Sequence, residues 1–188
     1  SDVYKRQTLP YAGLVLEGLI RHLNLKQIEM SAWGVREGLL FETLDAATRT
    51  ADPLLAGCKA LGGRQGVSPA LPGALNGWIA EIVDALPPVF GERRDAVLTA
   101  AACRLADLGA RLHPDHRLEL VFDQVLRAPV AGISHAERAF LASALNARYG
   151  GAPATPQPEV IDRLLGGDAA KRARAIGLAI RLACDLSG

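Results

Sequence analysis

Gln27-Ile28-Glu29-Met30-Ser31-Ala32-Trp33-Gly34-Val35-Arg36-Glu37-Gly38-Leu39-Leu40-Phe41-Glu42 is the stretch from which the rest of the chain is best read. Ile28, Met30 and Ala32 alternate with Gln27, Glu29 and Ser31, the period-two pattern of a strand with one buried face. From Val35 the alternation stops, and Arg36-Glu37-Gly38-Leu39-Leu40 predicts a helix. Ahead of the strand, Pro10 to Leu23 predicts another helix, with Ala12, Val15, Leu16, Leu19, Ile20 and Leu23 on one stripe. A lone strand leaves backbone donors and acceptors unpaired, so this segment requires a partner strand.

From Asp52 the pattern is helical to the end. Asp52-Pro53 offers an N-cap followed by proline in the first turn, opening a short helix that Gly62-Gly63 is expected to close. Gly63 to Gly77 is rich in Gly and Pro and reads as a loop with room for one helical turn. Trp78 to Leu86 predicts a helix stopped by Pro87-Pro88. Arg93 to Leu112 carries Leu98, Ala101, Leu105 and Leu108 at helical intervals, with Ala and Cys on its other side, and is expected to be the buried central helix. Pro114 to Arg127 follows, burying Leu118, Val121, Phe122 and Val125. Ser134-His135-Ala136-Glu137 is a capping box that starts a helix from His135 to Tyr149, ended by Gly150-Gly151. Ala152 to Pro158 reads as a Pro-rich linker; a short helix comes next, and Asp168 caps a last helix reaching Leu186. There is no internal repeat.

Composition agrees with a helical, globular chain. Of 188 residues, 49% are hydrophobic and 22% charged, while aromatics are only 5%, which favours helices packed through small side chains over a β sandwich. No apolar run approaches the ~18–20 residues needed to cross a bilayer, and no secretory signal is visible. Three widely spaced cysteines, Cys58, Cys103 and Cys184, fit neither a disulfide framework nor a zinc site and read as reduced core residues of a cytoplasmic protein. The net charge of +1 creates no global field toward nucleic acid or membrane. Most of the cations are arginine, whose planar fork of donors suits phosphate.

The helix–strand–helix of 10–42 resembles the close of the catalytic core in the exopolyphosphatase/guanosine pentaphosphate phosphohydrolase family. That core is actin-like, with a ribonuclease H-like ATPase fold. The resemblance extends to Arg104-Leu105-Ala106-Asp107-Leu108-Gly109, His113-Pro114-Asp115-His116-Arg117 and Ala147-Arg148-Tyr149-Gly150, which resemble the helical domain that follows the core and is itself similar to HD-type metal phosphohydrolases. It implies a mainly α fold: an HD-like helical domain at 44–188, after an α-β-α remnant of the actin-like core at 8–43. Ser1 to Gln7 joins the family-like sequence abruptly and reads as a linker or assembly artefact. Asp107 would stand at the Asp of the His-Asp pair, but Ala106 replaces the histidine, and Gly150 replaces a second one. Lone Asp107 cannot hold a metal, so HD-type hydrolysis is disfavoured. On a buried helix its carboxylate is expected to pair with Arg111, Arg117 or Arg148.

The resemblance further implies a parent enzyme that removes terminal phosphates from polyphosphate or guanosine pentaphosphate with Mg2+, using core motifs that do not occur in this sequence. No catalytic residue, metal ligand or cofactor is therefore assigned to this chain. The expectation is an accessory half that holds inorganic polyphosphate and builds a homodimer, acting neither on membranes nor on specific nucleic acid. The alternative is a purely structural helical interaction module. Candidate polyphosphate contacts are His116 and Arg117, outside the apolar stripe of their helix, together with Arg148, Lys171, Arg174 and Arg181. Arg174 and Arg181 are seven apart and share a flank. Residues 168–188 hold four basic and two acidic residues, a net of 4 − 2 = +2. Binding by such residues would depend strongly on salt. Asp115 needs no function, since it sits in a first helical turn where the dipole favours negative charge. Arg36 and Glu37 are expected to be structural.

Overall fold

The computed structural model describes residues 2–28, 33–64, 66–150, 152 and 155–187. The chain divides into two units, Ser1–Arg49 and Thr50–Gly188. Among the described residues the fold is mainly helical, with no strand.

In the first unit, α1 (Asp2–Leu23) contains Pro10 instead of starting there, so the segment set aside as a linker carries helical backbone. The heart of the expected strand, 29–32, lies outside the described residues; Gln27 and Ile28 have no regular secondary structure. Next come α2 (Val35–Glu42) and α3 (Ala46–Thr50). Glu37 accepts the Gly34 amide at 2.8 Å, reciprocally closing the start of its own helix. Among the described residues of this unit the large apolar side chains stay exposed, Leu14 at 66% and Leu40 at 67%.

The second unit contains α4 (Pro53–Arg64), α5 (Leu71–Asp84), α6 (Glu92–Leu105), α7 (Pro114–Arg127), α8 (His135–Arg148), α9 (Pro158–Leu164) and α10 (Gly167–Ser187). Four starts follow from local chemistry. The Asp52 carboxylate accepts the Leu55 amide at 3.0 Å ahead of α4. His113 Nδ1 accepts the Asp115 amide at 3.3 Å ahead of α7. Ser134 and Glu137 form the foreseen capping box of α8. Pro158 occupies the first turn of α9.

Three helical boundaries differ from expectation. Helix α4 runs past Gly62-Gly63 to Arg64, because Gly62 faces α6: a Cβ there would stand 3.0 Å from the Arg104 carbonyl oxygen. The supposed stop signal is a close helix contact. Helix α5 begins at Leu71 instead of Trp78, with Pro72 in its first turn, where a missing amide costs nothing, and Leu75, Ile79 and Val83 buried. Helix α6 ends at Leu105, and 106–111 form turns, so Asp107 lies beyond the helix and not on it. Tyr149, arriving from α8, takes up the backbone groups freed there: its hydroxyl donates to the Ala106 carbonyl and accepts from the Gly109 amide, each at 2.8 Å.

Helix α8 is the centre of the packing. It is buried at every position from Ala139 to Ala147, against α10, α7, α6 and α9. Its seam with α10 is closed by small residues: a Cβ at Gly177 would lie 2.0 Å from the Ala144 carbonyl oxygen. Around the seam, Leu98, Phe122, Phe140, Leu141, Ile176 and Ile180 are fully buried. Phe90 meets Phe140 edge-to-face, with ring centroids 5.5 Å apart.

Two charged networks tie the loops to this core. Buried Asp95 accepts the amides of Val89 (2.7 Å) and Phe90 (3.1 Å) and stands 3.4 Å from buried Arg172. Arg172 in turn donates to the carbonyls of Leu86 (2.6 Å) and Pro87 (3.0 Å). The loop 86–90 is thus clamped by a buried ion pair. Arg94 donates to Glu137 at 2.5 Å and to the Gly132 carbonyl at 2.6 Å. Burial works against the Glu137 carboxylate, yet the hydrogen bonds from Arg94 and Ser134 hold it below the usual carboxylate range.

Candidate anion-binding site

Tyr149 is the C-cap of α8, and its position brings three helices' arginines together. The Arg148 guanidinium lies over its ring, 4.9 Å from the centroid, and the Arg117 guanidinium lies 5.7 Å away, both within cation–π range. Arg117 also donates to the Leu112 carbonyl at 3.2–3.4 Å, which orients it. The buried Nε of Arg148 has no hydrogen-bond partner. Arg181 comes from α10. It lies beside Gly150, where a Cβ would stand 3.0 Å from its Nη1, and it pairs with Asp185 at 3.5 Å. Gly150 has φ +86°, a conformation that side chains rarely adopt.

The chemistry of this end is cationic, with two carboxylates nearby, Asp185 paired with Arg181 and Asp107 in the turn after α6. Burial is the main cause raising the Tyr149 hydroxyl's pKa, which keeps it protonated and able to donate to Ala106. Asp107 is half-buried, adds a smaller upward push on Tyr149 and Cys184, and makes no ion pair within 4.0 Å among the described residues. The expected pairing with Arg111, Arg117 or Arg148 is therefore not formed. Because the turn lifts Asp107 off α6 toward the surface, it does not require one. Cys58 and Cys103 are buried free thiols whose pKa burial pushes up to about 12, which keeps them protonated and unreactive.

The structure thus gathers Arg117, Arg148, Arg181 and Asp107 around Tyr149-Gly150. It does not gather the remaining candidates. His116 is exposed beside His113, with ring centroids 6.0 Å apart. Lys171 pairs with Asp168 at 3.1 Å on the surface. Arg174 is two helical turns, about 10 Å along the axis, from Arg181. It lines a separate cleft with Ser143 and Asn146. Sequence reading quoted Tyr149 within Ala147-Arg148-Tyr149-Gly150 but gave it no role; its place immediately before a Gly-Gly helix end was a further signal.

Among the described residues, no three His, Cys, Asp or Glu side chains form a group that could hold a metal ion. None of their helices is long and apolar enough to cross a membrane. Fold and site together define a helical domain with arginines from three helices grouped about Tyr149-Gly150. Residues 75–188 match the family described as the C-terminal domain of exopolyphosphatase, and the chain belongs to that family. No protein of curated function matches the chain.

Proposed function

We propose that this chain supplies an exopolyphosphatase with the part that holds its polyanionic substrate, inorganic polyphosphate. The observation that carries the reading is the convergence of Arg117, Arg148 and Arg181, from three helices, on Tyr149-Gly150. Tyr149 fixes two guanidinium planes by their contact with its ring, which lowers the ordering cost of presenting them to phosphate oxygens. Gly150 leaves room beside the third. The segment 8–43 is read as the remnant of an actin-like core, and 44–188 as an HD-like domain that has lost its metal site. The magnesium implied for the parent enzyme needs several oxygen ligands, which the described residues do not assemble; no step here runs through it.

Titration of a fluorescent polyphosphate at two salt concentrations tests the proposal. Binding weakens steeply as salt rises, and Arg117→Ala, Arg148→Ala and Arg181→Ala each reduce both affinity and salt slope. Absence of binding at low salt, or binding indifferent to all three substitutions, overturns it. A second reading, partner contact, is favoured by one observation. Leu178, Leu182 and Leu186 recur every four residues along α10 and are 41%, 48% and 69% exposed. A homodimer through this row would give twice the monomer mass in light scattering, and Leu182→Glu would return it to monomer.

A further inference from the structure

Away from the arginine cluster, a cleft of about 350 Å³ opens between α8, α9 and α10. Ser143 and Asn146 lie three residues apart on α8, share a face and are only 7% and 3% exposed. Thr155 joins them from the segment before α9. The Ser143 hydroxyl, the Asn146 Oδ1 and the Thr155 hydroxyl are all buried without a hydrogen-bond partner. The Asn146 amide nitrogen is committed to the Ala152 carbonyl at 3.2 Å, which fixes which end of the side chain remains unpaired. Buried polar atoms are almost always paired in native proteins, because an unpaired one loses its water without compensation. Three such atoms lining one cleft is a concentration that helix packing does not explain.

Charge around the cleft narrows what would pair with them. Asp162, Lys171 and Arg174 also line it. Lys171 is held by an exposed pair with Asp168, from which it can swing. A polyanion, whose oxygens only accept, has nothing to donate to the unpaired Asn146 Oδ1 or to the Asp162 carboxylate. The lining suits a compact body with several hydroxyls and one anionic group. The hydroxyls pair with Ser143, Asn146, Thr155 and Asp162, the carbon faces lie on Ile161 and Pro158, and the anion meets Lys171; Arg174, which also lines the cleft, already has a partner of its own. We infer that this cleft is a second ligand site, taking a small hydroxylated organic monophosphate of sugar-phosphate type, separate from the face offered to polyphosphate.

Calorimetric titration of the full chain with glucose 6-phosphate, glucose and inorganic phosphate tests the assignment. Glucose 6-phosphate is expected to bind at least about tenfold more tightly than either of the others. Ser143→Ala and Lys171→Ala each abolish that preference. Ser143→Ala leaves the melting temperature unchanged or raised, since it removes an unpaired hydroxyl from a helix interior, and Lys171→Ala, on the surface, leaves it unchanged. Equal binding of inorganic phosphate, or no binding of glucose 6-phosphate at millimolar concentration, overturns the inference. A lowered melting temperature in Ser143→Ala overturns it too, because the hydroxyl would then be satisfied inside the protein, for instance by buried water.

Discussion

One oxygen atom, the Tyr149 hydroxyl, serves two backbone groups of the turn after α6 while its ring carries two arginines. Those duties are separable. Tyr149→Phe strands the Ala106 carbonyl and the Gly109 amide at a cost of about 1–3 kcal/mol, read as a lower urea midpoint, yet it keeps an aromatic face for Arg117 and Arg148. Polyphosphate affinity at a temperature where the variant is folded is therefore expected to change little, whereas Tyr149→Ala loses both. Glycines divide in the same residue-by-residue manner. Gly177→Ala drives a methyl group into the Ala144 carbonyl and costs about 1–3 kcal/mol or more, while Gly73→Ala meets nothing within 4 Å and gains about 0.4–1 kcal/mol. Thermal melts of the two variants should move in opposite directions. Sequence alone does not separate these two glycines, since what distinguishes them is a backbone atom about thirty residues away in one case and open solvent in the other.

Helices that carry their own start signals were legible before any coordinates. Those of α4, α7 and α8 announce themselves through Asp52, His113-Pro114 and Ser134-Glu137, all interactions within three residues. The end of α6 was not legible, because the hydroxyl that receives it comes from Tyr149, some forty residues on. The start of α5 was obscured by its own Gly73 and Gly77, whose cost is met by burying Leu75, Ile79 and Val83. The candidate site divides likewise. Arginine content pointed to phosphate, but which three arginines meet depends on how α7, α8 and α10 pack. The loop between α5 and α6 gives an element-scale test. Arg172→Met leaves Asp95 buried without its cation, held by the Val89 and Phe90 amides alone, and is expected to cost about 3–5 kcal/mol. Its signature is local: the Val89 and Phe90 amides, held by Asp95, should keep their hydrogen-exchange protection relative to global stability better than the stretch around Leu86 and Pro87, whose carbonyls lose their donor.

For the whole molecule, the buried titratable groups bound the pH range of stability from both sides. Glu137 is held below its ordinary value of 4.5, so its contribution is complete above that pH and is lost as pH falls through the lower folded value. Cys58 and Cys103 are raised from 9.0 to about 12, and Tyr149 is raised above its ordinary 10.0. Their contribution is complete below pH 9 and is lost as pH climbs toward 12. Denaturant melts are expected to show a plateau with an acid shoulder that Glu137→Gln abolishes and an alkaline one that Cys58→Ala reduces. The seam between α8 and α10 also bears on how such a chain can change over generations. Every amino acid one base away from a glycine codon is larger than glycine, and of those one base away from an alanine codon only glycine is smaller. At Gly177 and the alanines facing it, nearly every neutral-looking mutation is thus an enlargement into a space already filled. Lineages that carry this helix pair should drift across the exposed surface of α10 away from Arg181 while their seam stands almost still.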